Sequence, residues 1–122
     1  MSIVEINCGT VVTHLDGASV FSYETTVDLP LETVTKSLEV LIRAIQKQVN
    51  DSGGIVGHIK AFAQENGRSA VLSSTGNEVH VISGSTGQTD ISFTAIVFCV
   101  NETDLRDQID NLFLELENSS NN

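Results

Sequence analysis

The dipeptide Asn66-Gly67 constrains the fold of this chain more than any other feature, because the segments on either side of it alternate apolar and polar residues. An Asn-Gly pair readily adopts the two positive φ angles of a type I′ turn, which joins two antiparallel strands. A turn at this point also sets the strand register, so that Phe62 lies opposite Val71 and Lys60 lies opposite Ser73. The middle of the chain is therefore predicted to be an antiparallel hairpin.

A second turn is predicted at Gly76-Asn77, and it adds a third strand to this hairpin. In that register Val71 lies opposite Ile82, and Ser73 lies opposite His80. The two registers agree on which side chains share a face. The small and apolar face, which suits packing against helices, consists of Ile59, Ala61, Ala63, Ala70, Leu72, Val79 and Val81.

A long amphipathic helix is predicted to precede the hairpin, from about Pro30 to about Asp51. Proline is tolerated in the first turn of a helix, and Ser52-Gly53-Gly54 supplies the flexible residues that a helix end favours. The apolar stripe of this helix, at helical spacing, consists of Leu31, Val34, Leu38, Leu41, Ile42, Ile45 and Val49.

Three further segments complete the predicted architecture. Residues 3–15 and 20–27 form a first hairpin around Asp16-Gly17, and residues 91–100 form another strand. Asn101 begins a second helix. The inward residues of that helix are Leu105, Ile109, Leu112 and Leu116.

The predicted fold class is α+β: an antiparallel sheet of about five strands with two α-helices packed on one face, in the order β-β-α-β-β-β-β-α. Residues 1–117 form a single domain, and residues 118–122 form a polar flexible tail. This element order is similar to that of roadblock-type and profilin-like domains, a resemblance of order alone.

The 122-residue chain is acidic, with a formal net charge of −10. This charge repels the phosphates of nucleic acids and anionic lipids, so neither nucleic acid nor a membrane is expected as a partner. The sequence shows no secretory signal and no apolar run of membrane-spanning length, which favours a cytoplasmic location. Strand alternation predicts that Cys8 and Cys99 are buried, reduced thiols.

The best candidates for chemistry are polar residues on the sheet face away from the helices. The two registers place Lys60, Ser73 and His80 in one row across three strands, with His58 and Glu78 in the next row. Such groups could transfer a proton or hold an anion, whereas outward polar alternation is typical of any sheet with one solvated face. Strands about 4.8 Å apart keep Lys60 and His80 about 10 Å apart, which disfavours catalysis and metal binding within one subunit. We therefore predict no catalytic residue, no metal and no cofactor.

Apolar residues on that same face predict self-association. They are Phe62, Val71, Ile82, Ile96, Phe98 and Val100. Together they form a patch on the order of several hundred Å², larger than soluble monomers usually leave in water. A second copy of the chain is the simplest cover, because a two-fold contact requires only self-complementarity.

The sequence therefore favours a non-catalytic binding or assembly module that forms a homo-oligomer, a dimer or higher. The alternative is a small enzyme, or a protein that binds an anion or another small ligand, using the row of Lys60, Ser73 and His80. The position of these side chains distinguishes the two, because a reactive site requires them to converge in a pocket.

Overall fold

Strands and helices follow one another in the predicted order. The computed structural model describes residues 9–74, 76–80 and 88–120, with side chains for all of these except 76–80 and 120. The strands are β1 (Val11–Leu15), β2 (Ala18–Val27), β3 (Ile55–Glu65), β4 (Arg68–Ser73), β5 (Gly76–His80) and β6 (Thr89–Phe98). The helices are α1 (Leu31–Asp51) and α2 (Glu102–Ser120).

All neighbouring strands pair antiparallel in one sheet with the order β1-β2-β6-β3-β4-β5. The α+β class and the order of elements are confirmed, and the sheet has six strands where about five were predicted. The last strand, β6, inserts between β2 and β3 and thereby joins the first hairpin to the central meander. The middle of the sheet therefore depends on pairings between residues far apart in the chain.

The turns at Asp16-Gly17 and Asn66-Gly67 both have the predicted geometry. Asp16 and Gly17 have φ angles of 51° and 85°, and Asn66 and Gly67 have φ angles of 27° and 87°. The predicted register of β3 against β4 is confirmed, with Lys60 opposite Ser73. Two consecutive positive φ angles are what a type I′ turn requires, so these sequence signals acted through local backbone preference.

The predicted register of β4 against β5 is wrong. Ser73 pairs with Gly76 and Ser69 pairs with His80, so the turn comes before Gly76. The side-chain amide of Gln46 on α1 donates to the carbonyl oxygen of Ser74 at 3.0 Å, and the Ser74 amide donates to the Ile59 carbonyl oxygen at 2.9 Å. These contacts hold the chain reversal at Ser74, and Gly76-Asn77 becomes the start of β5.

The core lies between one face of the sheet and the two helices. All seven residues predicted for the stripe of α1 are buried, which confirms that helix. In α2, Asn101 caps the first turn, since its side-chain oxygen accepts a hydrogen bond from the Asp104 amide at 3.1 Å. α2 continues to Ser120, so residues 118–120 are helical although they were predicted to belong to a flexible tail.

Two predictions fail at the end of β6. The strand ends at Phe98, and Cys99 has a φ angle of 61° and an exposed side chain. Alternation therefore stops one residue before Cys99, and the prediction of a buried thiol there is wrong. Val100, predicted for the outward face, instead packs against the core. Cys8 and Ile82 lie outside the described residues.

Candidate functional site

The helices cover one face of the sheet, and no described residue covers the other, which we call the open face. Strand alternation and burial place five large apolar residues at one end of the open face, which we call the apolar end: Leu15, Val20, Ile55, Ile96 and Phe98. The pairs Ile55–Phe98 and Val20–Ile96 make these residues neighbours across β2, β6 and β3. Leu15 is 63% exposed and Ile55 is 61% exposed. The open face therefore carries large apolar side chains in water at one end.

A bulge in β3 shapes the apolar end. The register between β3 and β6 shifts between Val56 and His58, so Gly57 is the extra residue. A Cβ atom on Gly57 would lie 3.1 Å from both the Phe98 ring and the Ile96 carbonyl oxygen. Glycine at this position thus allows the Phe98 ring to lie close against the backbone of β3, and the bulge brings Ile55 onto the open face.

The opposite end of the open face is polar. A shallow depression of about 450 Å³ lies there, and its lining includes Glu24, Thr26, Phe62, Asp90 and Ser92. The Thr26 hydroxyl donates to the Asp90 carboxylate at 2.7 Å. The lining thus contains hydroxyls and two carboxylates and, among the described residues, no histidine, cysteine or lysine.

Four of the six residues predicted for an oligomer interface lie on the open face. Phe62 pairs with Val71 in the middle of the face, and Ile96 and Phe98 belong to the apolar end. Phe62 is 39% exposed, while Val71, Ile96 and Phe98 are partly buried. The sequence missed the exposed Ile55, because only the bulge at Gly57 places it on this face.

The predicted polar row does not form. Lys60 and Ser73 are neighbours, but His80 pairs with Ser69, four positions from Ser73. Four residues of strand separate them by about 13 Å along the sheet, in addition to the spacing between strands. Lys60, Ser73 and His80 therefore do not converge on one ligand.

The second predicted row also separates. His58 pairs with Ile96 on β6, whereas Glu78 pairs with Val71 on β4. Within the described part of the chain, no group of three or more His, Cys, Asp or Glu side chains could hold a metal ion. The histidines and the glutamate thus occupy different parts of the sheet.

Half of the net negative charge lies on α2. α2 contains six acidic residues and one arginine, which accounts for half of the net charge of −10. On the open face, the charged residues whose side chains the structure describes are Glu24, Lys60 and Asp90, and the register places one more acidic residue, Glu78, on this face opposite Val71. Two copies that meet through this face would therefore experience much less like-charge repulsion than copies that meet through α2.

Carboxylates of α2 also bind the sheet, a role that sequence patterns did not indicate. Asp110 accepts hydrogen bonds from the amide of Thr10 at 2.8 Å and from its hydroxyl at 2.5 Å. Glu117 accepts from the Tyr23 hydroxyl at 3.0 Å and from the Thr25 hydroxyl at 2.8 Å. These contacts fix α2 against the segment that leads into β1 and against β2, on the face opposite the open face.

Glu102, at the start of α2, holds the first hairpin. Its Oε2 atom accepts a hydrogen bond from the Ser19 hydroxyl at 2.5 Å and contacts His14 Nε2 at 2.5 Å. The Ser19 hydroxyl, followed by His14, lowers the pKa of the Glu102 carboxyl below its ordinary value. A lowered carboxyl pKa means that ionised Glu102 stabilises the folded arrangement, and this stabilisation is lost as the pH falls through the lowered pKa.

We expect Glu102→Gln to accelerate hydrogen exchange of the β1 backbone amides at pH 7, because a neutral amide is a weaker acceptor than a carboxylate. The wild type should approach the variant as the pH falls through the lowered pKa of Glu102 and the carboxyl becomes protonated. Amide exchange measured across this pH range tests both statements. Asp104→Asn, an exposed change in the same helical turn, is the control; equal β1 exchange in the wild type and Glu102→Gln at pH 7 would contradict the role of Glu102.

A buried ionic cluster closes the turn between β3 and β4. Glu65 is fully buried, and the guanidinium of Arg68 donates to it at 2.9 Å and also to Glu32 on α1. The side chain of Arg68 is 8% exposed, whereas that of Glu32 is 63% exposed. The register already places Glu65 and Arg68 on the inward face, so their pairing was available from the sequence. We assign this cluster to stability.

A scan against protein-family models and searches of curated proteins and of solved structures find no match to this chain. In the part of the chain that the structure describes, neither helix is long and apolar enough to cross a membrane.

Proposed function

We propose that this protein is a non-catalytic assembly module that associates with copies of itself through the open face. The observation that carries the proposal is the apolar end, where Leu15 and Ile55 are each more than half exposed beside Ile96 and Phe98. Contiguous apolar surface of this kind is typical of interaction sites on soluble proteins. The weak charge of the open face, compared with α2, supports a second copy as the partner.

The size of the open face also supports a stable contact. Six strands about 4.8 Å apart, and a ten-residue β6 at about 3.3 Å per residue, give a face of about 24 Å by 33 Å, or about 800 Å². This equals the area of about 800 Å² that each partner contributes to a standard protein interface. Stacking of two sheets through such faces is a common way of burying them.

The geometry favours this proposal over a small enzyme or an anion-binding protein. That alternative required Lys60, Ser73 and His80 in one row, and the register of β5 separates them. We place the assembly in the cytoplasm as part of the same proposal, because the exposed thiol of Cys99 is free, as is usual in a reducing compartment.

Sedimentation of two variants tests the proposal. Phe98→Glu and Ile55→Glu each place a charge in the apolar end, and each should weaken self-association by about 30-fold or more, as expected for a central interface residue. Ile55 is 61% exposed, so its substitution should leave the fold intact.

Val40→Glu is the matched control, since Val40 is also 61% exposed but lies on α1. It should leave association unchanged. A wild type that sediments as a monomer at micromolar concentration contradicts the proposal, and so does a loss of association in Val40→Glu equal to that in Ile55→Glu.

A further inference from the structure

We infer that two copies pair about a two-fold axis that runs along β6, so that Lys60 of each copy forms an ion pair with Glu24 of the other. This inference rests on the proposed association through the open face and specifies its geometry. It begins from two exposed charges of opposite sign, on the two strands that flank β6.

Neither charge has a partner among the residues whose side chains the structure describes. In the described part of the structure, no ion pair or side-chain hydrogen bond involves Lys60 or Glu24, although most exposed basic residues of α1 are paired. Lys60 lies opposite Thr94 and Glu24 lies opposite Ser92, on either side of β6. This places their Cα atoms about 12 Å apart, two strands across and one pleat along, which is too far for a direct contact.

A rotation about β6 brings the two charges together. It lays β2 of one copy over β3 of the other, so that Lys60 faces Ser22 of the second copy and Glu24 is the next outward residue on the same strand. Stacked sheets lie about 10 Å apart, and the two long side chains point towards each other across this gap. The same operation forms the reciprocal pair, which gives two ion pairs per dimer.

The same axis also matches the apolar surfaces. Because it runs along the strands, each end of one sheet faces the same end of the other, and Ile96 and Phe98 meet their own copies at the centre. An axis across the strands, through the middle of the face, would instead lay the apolar end over Glu24 and Asp90. That arrangement would bury carboxylates against hydrocarbon, which is costly.

Asp90 is the one described charge that this axis places opposite itself. It lies at the far end of β6, where its carboxylate accepts the Thr26 hydroxyl. Stacked sheets cross at about 30°. With the crossing point at Ile96 and Phe98, the far ends of the two β6 strands diverge, and Asp90 remains in water at the rim. Repulsion between exposed carboxylates there is weak, because water and salt screen it.

Charge exchange between two variants tests the axis. Lys60→Glu and Glu24→Lys should each weaken self-association by at least about tenfold, because each replaces two attractive contacts by two repulsive ones. An equimolar mixture should associate nearly as tightly as the wild type, since the heterodimer restores both attractive pairs. Sedimentation of each variant and of the mixture measures this, and circular dichroism verifies that both remain folded.

Lys60→Glu combined with Asp90→Lys in one chain is the control: it restores the net charge of the wild type but neither ion pair, and it should associate no better than Lys60→Glu alone. A mixture of the Lys60→Glu and Glu24→Lys variants that associates no better than either alone overturns the inference, as does unchanged association of Lys60→Glu by itself. A result that contradicts this axis can be distinguished from one that contradicts association through the open face. If Ile55→Glu still abolishes association while charge exchange does not restore it, the open face is the interface and the axis lies elsewhere.

Discussion

Replacement of Arg68 by methionine should lower the free energy of unfolding by about 3–5 kcal/mol. Glu65 is fully buried, and the Arg68 guanidinium is the cation that donates to it, at 2.9 Å. Methionine retains much of the side-chain volume but removes the positive charge. The variant therefore removes the Arg68 counterion from a buried carboxylate, and the cost of that desolvated charge accounts for most of the loss.

Urea denaturation of three variants separates burial from ion pairing. Arg43→Met removes a similar contact on α1, where Arg43 donates to Glu39 at 3.0 Å, but that pair is exposed. It should cost about 0.3–0.5 kcal/mol, as exposed pairs of this spacing usually do.

The double change Glu65→Leu with Arg68→Met removes both buried charges and should recover much of the stability lost in Arg68→Met. Equal losses for Arg68→Met and Arg43→Met would show that the buried cluster contributes no more than a surface pair.

The parts of the fold that were predicted correctly are those that depend on residues close together in the sequence. Asn66-Gly67 and the apolar stripe of α1 are local signals, and each specified its element correctly. Gly76-Asn77 resembled a hairpin turn equally well, but a contact from Gln46, distant in the chain, holds the reversal at Ser74. Because the register shifts by an even number of residues, Val79 keeps its predicted inward register position, although it now lies opposite the buried Ala70.

The same distinction applies to the residues of the open face. Alternation placed Phe62 and Ile96 on the open face correctly, because strand parity is a local property. The row of Lys60, Ser73 and His80 depended on the second turn and was lost with it. Ile55 could not be recognised at all, since a bulge changes parity and only pairing with a distant strand reveals it.

Phe113 on α2 was also missed, and its position in the core leads to the second large effect. The predicted inward stripe of α2 included Leu112. In the structure Leu112 is partly buried, while Phe113 is fully buried. The apolar stripe of a helix predicts which side of the helix faces the core. Which of two adjacent apolar residues at the edge of the stripe is buried depends on the residue that packs against them. Here that residue is Tyr23 on β2.

Phe113→Ala should lower the free energy of unfolding by about 3–5 kcal/mol, the usual cost of removing a buried phenylalanine. The Phe113 ring stacks on Tyr23 with centroids 4.1 Å apart and meets the edge of Phe93 at 5.9 Å. Alanine would leave a cavity between α2 and the sheet, because the hydrogen bond from Tyr23 to Glu117 and the pairing of β2 limit how far either side can collapse.

Chemical denaturation of Phe113→Ala and Leu114→Ala tests this role of the ring. Leu114 is the next residue on the helix and is 50% exposed, so its replacement should cost less than about 1 kcal/mol. A double-mutant cycle with Tyr23→Ala should give a coupling of about 0.5–1.5 kcal/mol from the stacked pair. If Phe113→Ala and Leu114→Ala are equally stable, the ring does not anchor α2 to the sheet. If the coupling is absent, Phe113 stabilises the core by its volume alone, and the stack with Tyr23 contributes nothing beyond burial.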